Sequence, residues 1–264
     1  MSDFETILLN FDGGIACLAL NRPEALNALN RKMLTELMQA LDVIRDRGQE
    51  RVLIISGAGR GFCSGADLKE GGLTEVSESY DAGEVLERHY NPLIERLFSF
   101  NLPIIAAVHG TVSGAGCMIA LAADFVLAAR SAYFLQAFVK VGLIPDAGSL
   151  WLLPRLVGRG RAHAMMMLGE KLSAQTAVDW GLIYQAVDDD ELQARARELA
   201  ARLAAGPTRA YAMIRQGTRA ALEQGLSQTL ESERRLQCLA GRTQDFAEGV
   251  AAFRAKRPAQ FTGK

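Results

Sequence analysis

The chain is poor in residues that hold metals or cross-link. It has only four cysteines, Cys17, Cys63, Cys117 and Cys238, and three histidines, His89, His109 and His163, all far apart. No CxxC pair occurs, so a zinc site is not expected and the thiols read as reduced. An excess of one charge is also lacking. The formal net charge is −1, which offers no general attraction to nucleic acid or to an anionic membrane surface. The longest apolar run, residues 115–129, is interrupted by Asp124 and is too short to span a bilayer. The opening M-S-D-F-E-T has no basic-then-apolar layout of a secretion signal, and the ending F-T-G-K is no recognised address. A cytoplasmic protein without a metal is the expectation.

Familiar cofactor and nucleophile motifs are missing too. G-A-G-R-G-F (Gly57–Phe62) begins like a dinucleotide fingerprint, but Phe62 stands where the third glycine belongs. There is no GxxxxGK[ST] for a phosphate loop. No GxSxG surrounds Ser64 or Ser113, which argues against a serine hydrolase.

What is present is an alternation of short β-prone runs and helical spacing. Residues 6–10 and 15–20 flank Asp12-Gly13-Gly14, which reads as a hairpin. Asn30 precedes Leu34, Leu37, Met38, Leu41 and Ile44, a capped amphipathic helix. Residues 51–56, 103–108 and 125–128 are buried-strand candidates, and residues 70–83 read as a mobile loop. An α/β core with crossover connections follows, with helical patterns dominating from about Ser149. The apolar content of that helical part predicts an oligomer.

Two strand-to-helix turns, Gly57–Leu68 and Gly110–Met118, share one device. Each ends a strand in glycines and small residues, then enters a helix whose first N–H groups lack partners and carry the positive end of the dipole. Converging donors of this kind make an oxyanion hole; glycines that merely permit close packing explain the pattern equally well.

N-R-P-E-A-L-N-A-L (Asn21–Leu29), G-R-G-F-C-S-G-A-D-L (Gly59–Leu68), A-A-V-H-G-T-V-S-G-A-G-C (Ala106–Cys117) and F-V-K-V-G-L-I-P-D-A-G (Phe138–Gly148) occur in that order. With E-G-V-A-A-F-R-A-K-R near the C-terminus, they resemble the crotonase, or enoyl-CoA hydratase/isomerase, superfamily. The resemblance implies a ββα-repeat spiral core over residues 1–200 and a C-terminal helical region, 201–264, that assembles a trimer or a dimer of trimers. It also implies an acyl-CoA thioester substrate and no cofactor beyond the CoA that the substrate carries. By position, the two oxyanion donors fall on the N–H groups of Ala66 and Ala115. The CoA-facing residues fall on Glu24, Ala25 and Leu26, on Ser64, Gly65, Ala66, Asp67 and Leu68, and on Phe253 and Lys256.

Departures from the family pattern matter more. Where family hydratases carry two glutamates, this chain has Met118 and Phe138, and neither accepts a proton. Hydration is therefore disfavoured, though a hydratase and a catalytically degraded acyl-CoA-binding protein stay as alternatives. Asp146 is left. Local rules make it a helix cap before a helix starting near Ala147. Its I-P-D-A-G-S-L-W setting resembles the subgroup of isomerases that act on phenylacetate-derived epoxide and enoyl thioesters, where it would be the base. Phe138, Leu143, Ile144 and Leu150 are the expected source of its desolvation. Asp67 reads as fixing its own loop, Glu70 and Glu87 as solvated, His109 as structural, and Met165–Met167 as packing.

Overall fold

A computed structural model describes residues 4–69 and 81–264. Glu70 and most of the expected loop at 70–83 lie outside the described residues. The chain opens with the expected hairpin, β1 (Ile7–Asp12) and β2 (Ile15–Leu20). Gly13 and Gly14 both have positive φ, +56° and +81°, the backbone that a two-residue turn between twisted strands requires. The first long helix, α1 (Arg31–Arg47), starts where Asn30 accepts a hydrogen bond from the Met33 N–H at 2.8 Å. It buries Met33, Leu34, Leu37, Ala40, Leu41 and Ile44 in one stripe.

The core strands follow as β3 (Val52–Gly57), β4 (Ile104–Val108) and β6 (Phe125–Ala129), with β9 (Gln185–Val187) last. They form one sheet in the order β1-β2-β3-β4-β6-β9, antiparallel only at the hairpin. V-L-I-I of β3 and I-I-A-A-V of β4 are buried throughout, as expected of parallel strands covered on both faces. One covering helix is α5 (Leu192–Ala204). A smaller sheet pairs β5 (Thr111–Ser113), β7 (Tyr133–Leu135) and β8 (Leu172–Ser173). These strands are too short to be read from sequence alternation.

Three further helices matter for the site. They are α2 (Asn91–Ser99), α3 (Gly114–Leu121) and α4 (Ser149–Val157). Every residue of α3 is buried, so its start is held rigidly under the sheet ends. The C-terminal helices are α6 (Thr208–Ala221), α7 (Leu226–Ala240) and α8 (Gln244–Arg254). Arg215 docks α6 on the core. Its guanidinium donates to the Leu97 and Leu102 carbonyls and pairs with Asp124. The whole is the crotonase architecture, a mixed α/β core with helices at its C-terminus. Among the described residues no helix is long and apolar enough to cross a membrane.

Candidate active site

The two glycine-rich turns lie side by side. Ser113 donates its N–H to the Cys63 carbonyl at 2.9 Å, and Cys63 pairs with Val112 in a parallel bridge. Gly65 has φ +102°, and a Cβ there would sit 3.3 Å from the Ser113 carbonyl oxygen, so the approach needs glycine. The packing reading of these glycines therefore holds. It coexists with free donors. The Ala66 N–H has no acceptor among the described residues. Ala115 is the second residue of α3; its N–H has no intrahelical acceptor, and Ser113 offers no side-chain cap.

Ala66 opens onto a cavity of about 500 Å³, which Leu29, Leu68, Tyr90, Leu143 and Asp146 also line. Ala115 does not line it; it is buried just behind, at the α3 start beside Gly65. Asp67, another lining residue, accepts from Arg22 at 2.8 Å and from the Lys69 N–H at 3.1 Å. The Arg22 guanidinium holds its carboxyl below the usual range, and these bonds tie Asp67 to its own loop and to Arg22. Ser64 is tied to the neighbouring turn, its N–H to Leu26 O at 3.0 Å and its hydroxyl to Ala25 O at 3.3 Å. Leu26 and Asn27 there have positive φ. Glu24, Ala25, Leu26 and Ser64 do not line the cavity themselves; their turn is bonded to the loop carrying Ala66, as is Leu29, whose N–H donates to Gly65 O at 2.8 Å.

Two expectations need correction. Asp146 does not cap a helix with its side chain. The helix begins at Ser149, its cap is Gly148 with no side-chain hydrogen bond, and it is the Asp146 carbonyl that accepts from the Ser149 N–H at 2.9 Å. Ala147, at φ +49°, and Gly148, at φ +84°, make the turn between them. Local rules missed this because the left-handed pair moves the carboxylate off the helix axis. Secondly, Ile144 and Leu150 are 74% and 55% exposed and do not line the cavity of Asp146. Of the four expected neighbours only Leu143 shares its cavity. Phe253 and Lys256 do not line this chain's cavity. Phe253 is 86% exposed and borders a separate apolar groove with Phe246, Val250 and Phe261.

Asp146 stands apart from the other acids of the cavity. Its Oδ1 is buried without a hydrogen-bond partner among the described residues, and burial pushes the carboxyl up to about 6. By contrast Asp81 accepts from the Gly83 N–H, and Glu84 pairs with Arg88 at the surface. These two, with Arg31, Arg88, His89 and Tyr90, line the cavity. Tyr90 ends a π-helical stretch, Leu86–Tyr90. Such an insertion disrupts the 3.6-residue spacing that a sequence reading follows. Met118 is buried, and the Phe138 ring lies against the α3 start, where a Cβ on Gly114 would be 3.6 Å from its edge. Neither position brings a carboxylate.

The other titratable candidates fall away. His109 bonds the Gly59 carbonyl at 2.9 Å and is structural. Glu87 is exposed and does not line the cavity. Burial pushes the Cys63 and Cys117 thiols up to about 12, which keeps them neutral and poor nucleophiles. Met165 and Met166 are packed inside, whereas Met167 is 64% exposed. Among the described residues no cluster of histidine, cysteine and acids has metal-binding proximity.

Residues 10–264 match the family model described as enoyl-CoA hydratase/isomerase. The chain belongs to that family. It is 46% identical over 260 residues to the 1,2-epoxyphenylacetyl-CoA isomerase of Escherichia coli (strain K12), covering 98% of this chain and 99% of that one. It is 36% identical over 250 residues to the 2,3-dehydroadipyl-CoA hydratase of the same organism, covering 95% and 96%. Among solved structures, enoyl-CoA hydratase from Bacillus anthracis superposes with a TM-score of 0.91 at 30% identity, covering 98% of this chain and all of that one. One from Polaromonas sp. JS666 gives 0.90 at 32%, covering 97% and 99%. The protein is an enzyme of the enoyl-CoA hydratase/isomerase family.

Proposed function

We propose that this enzyme is an acyl-CoA isomerase. Its reactions are the shift of a 3-enoyl-CoA to a 2-enoyl-CoA and the conversion of a ring-1,2-epoxyphenylacetyl-CoA to an oxepin, within phenylacetate breakdown. One observation carries the reading: among the described residues the cavity holds a single carboxylate with a buried, unpartnered oxygen, Asp146, and Ala66 with its free N–H opens onto the same space.

In the enoyl reaction, ionised Asp146 takes a proton from C2. The C–H electrons enter the C1–C2 bond, and the thioester oxygen takes the negative charge. The Ala66 and Ala115 N–H groups stabilise that oxygen, the start of α3 adding its dipole. Protonated Asp146 then returns the proton at C4, and the double bond settles between C2 and C3. One carboxylate serves both carbons because they lie on one face of the planar dienolate. Its raised pKa suits both halves: the anion is a better base than an exposed aspartate, and the acid gives the proton back near neutral pH. For the ring epoxide, the same two donors serve the thioester oxygen.

Binding of CoA by Glu24, Ala25, Leu26 and Ser64–Leu68 is supported by the hydrogen bonds that join the two segments and by Ala66, Asp67 and Leu68 lining the cavity. A role for Phe253 and Lys256 requires a second protomer, because in one chain they lie apart from it. Large exposed apolar side chains on the C-terminal helices, Ile214, Leu226, Leu230, Phe246 and Phe253, support a trimer or a dimer of trimers. Residues 201–264 form its assembly region on this reading, and the cytoplasm is the compartment. Aspartate at 146 and apolar side chains at Met118 and Phe138 favour isomerisation over hydration. Asp146→Asn tests it on 3-hexenoyl-CoA, followed by the absorbance of the conjugated product. Loss of turnover with thioester binding kept is expected; wild-type turnover refutes the assignment.

A further inference from the structure

Gln136 and Ser149 are both 0% exposed, and neither lines the cavity. A primary amide in an apolar core is unfavourable unless its donors and acceptor find partners. Here they do, on two different elements. The Gln136 Nε2 donates to Met118 Sδ at 3.9 Å and also reaches the Cys117 thiol, both on α3. Its Oε1 accepts from the Ser149 hydroxyl at 3.5 Å. Ser149 is the first residue of α4, and its N–H holds the Asp146 carbonyl at 2.9 Å. The sulfur contacts are long, the Ser149 contact lies at the outer limit of a hydrogen bond, and each is individually weak, so their use is direction rather than strength.

We propose that Gln136 and Ser149 are positioning residues that hold the Asp146 turn at a fixed distance from the helix carrying the second oxyanion donor. The inference rests on Asp146 being the base. The turn itself is under backbone strain at Ala147, and such a conformation persists only where its surroundings hold it. Ser149 fastens one end of the turn to α4, and Gln136 fastens α4 to α3. Without that tie the turn relaxes toward solvent, and the carboxylate gains water. Among the described residues, the titratable groups that share the cavity with Asp146 are Asp67, Asp81, Glu84, Arg31, Arg88, His89 and Tyr90. None of them changes when a residue of the relay is replaced.

The test measures kcat, KM and the pH profile of 3-hexenoyl-CoA isomerisation in Ser149→Ala, Gln136→Leu and the double variant, with Asp146→Asn alongside. In each single variant kcat falls on the order of tenfold or more, while KM stays within about twofold. The acidic limb of kcat/KM moves down by about one pH unit as Asp146 becomes hydrated. The double variant is no slower than the slower single one, and Ser149→Thr, which keeps the hydroxyl, restores both rate and limb. Should Gln136→Leu fail to fold, Ser149→Ala, which removes one oxygen, decides alone. Wild-type kcat and limb in Ser149→Ala overturn the relay if Asp146→Asn is dead. Full turnover in Asp146→Asn removes the base and the relay with it.

Discussion

Replacing Asp146 by asparagine should make the protein more stable and less active at once. In the fold, burial holds the carboxyl at about 6 against an ordinary 3.8. Keeping it ionised costs the folded state roughly 1.4 kcal/mol for each pH unit of that difference, about 3 kcal/mol. Discounted for its partial exposure, about 2 kcal/mol remains. The sign follows from proton binding. Between about pH 4 and 6 the folded chain keeps a proton that the unfolded chain has released, so stability falls as pH rises through that window. Below it both states are neutral, and asparagine brings no electrostatic gain. Above it the wild type bears the full cost and the variant bears none. The new amide leaves a buried donor short of a partner, a pH-independent loss of about 1 kcal/mol. The difference between variant and wild type should therefore grow by about 2 kcal/mol from acid to neutral pH, or roughly 4–8 °C in Tm for a chain of this size. Isomerase kcat should drop on the order of 10²–10⁴-fold. Thermal unfolding of both proteins at about pH 4 and pH 7.5, at one protomer concentration, reads the first quantity. A difference that stays constant with pH would refute the desolvated carboxylate.

Wild-type kcat/KM should fall as pH drops through an apparent pKa of about 6, because Asp146 must be ionised to take the C2 proton; a flat profile down to pH 5 would contradict it. Gly116→Ala places a Cβ 2.4 Å from Cys63 Sγ and 2.6 Å from its Cβ. It should cost about 1–3 kcal/mol in urea unfolding and lower kcat, since the α3 start moves, and Cys63→Gly in the same chain should recover part of both. Arg215→Ala should destabilise by about 3 kcal/mol, because it leaves Asp124 without its cation and frees two carbonyls; calorimetry checks it.

Much of the fold is legible in the sequence wherever one physical signal dominates. The Asp12-Gly13-Gly14 turn, the Asn30 cap and the apolar runs of β3 and β4 fall where local chemistry puts them. The short strands β5, β7 and β8 are too brief for alternation to reveal, and pairing between distant segments decides them. At the site, the motifs locate Ala66, Ser64 and Asp67, but the state of Asp146 is not local. A cap and a buried base read alike until Ala147 and Gly148 show their positive φ. Tyr90 and Glu84 reach the cavity through a helix whose period is interrupted, so spacing alone hides them. Phe253 and Lys256 are the opposite case, since a resemblance assigns them to a site that their own chain does not bring close.

The turn at Asp146 divides labour within a single residue. Its main chain receives the Ser149 N–H and starts the helix, while its carboxylate makes no contribution to that architecture. A change of side chain at this position therefore leaves the turn intact and alters only what faces the substrate. On the proposed function, the reacting group can be exchanged here while the scaffold keeps its shape, so chemistry can diverge at residue 146 faster than structure records it.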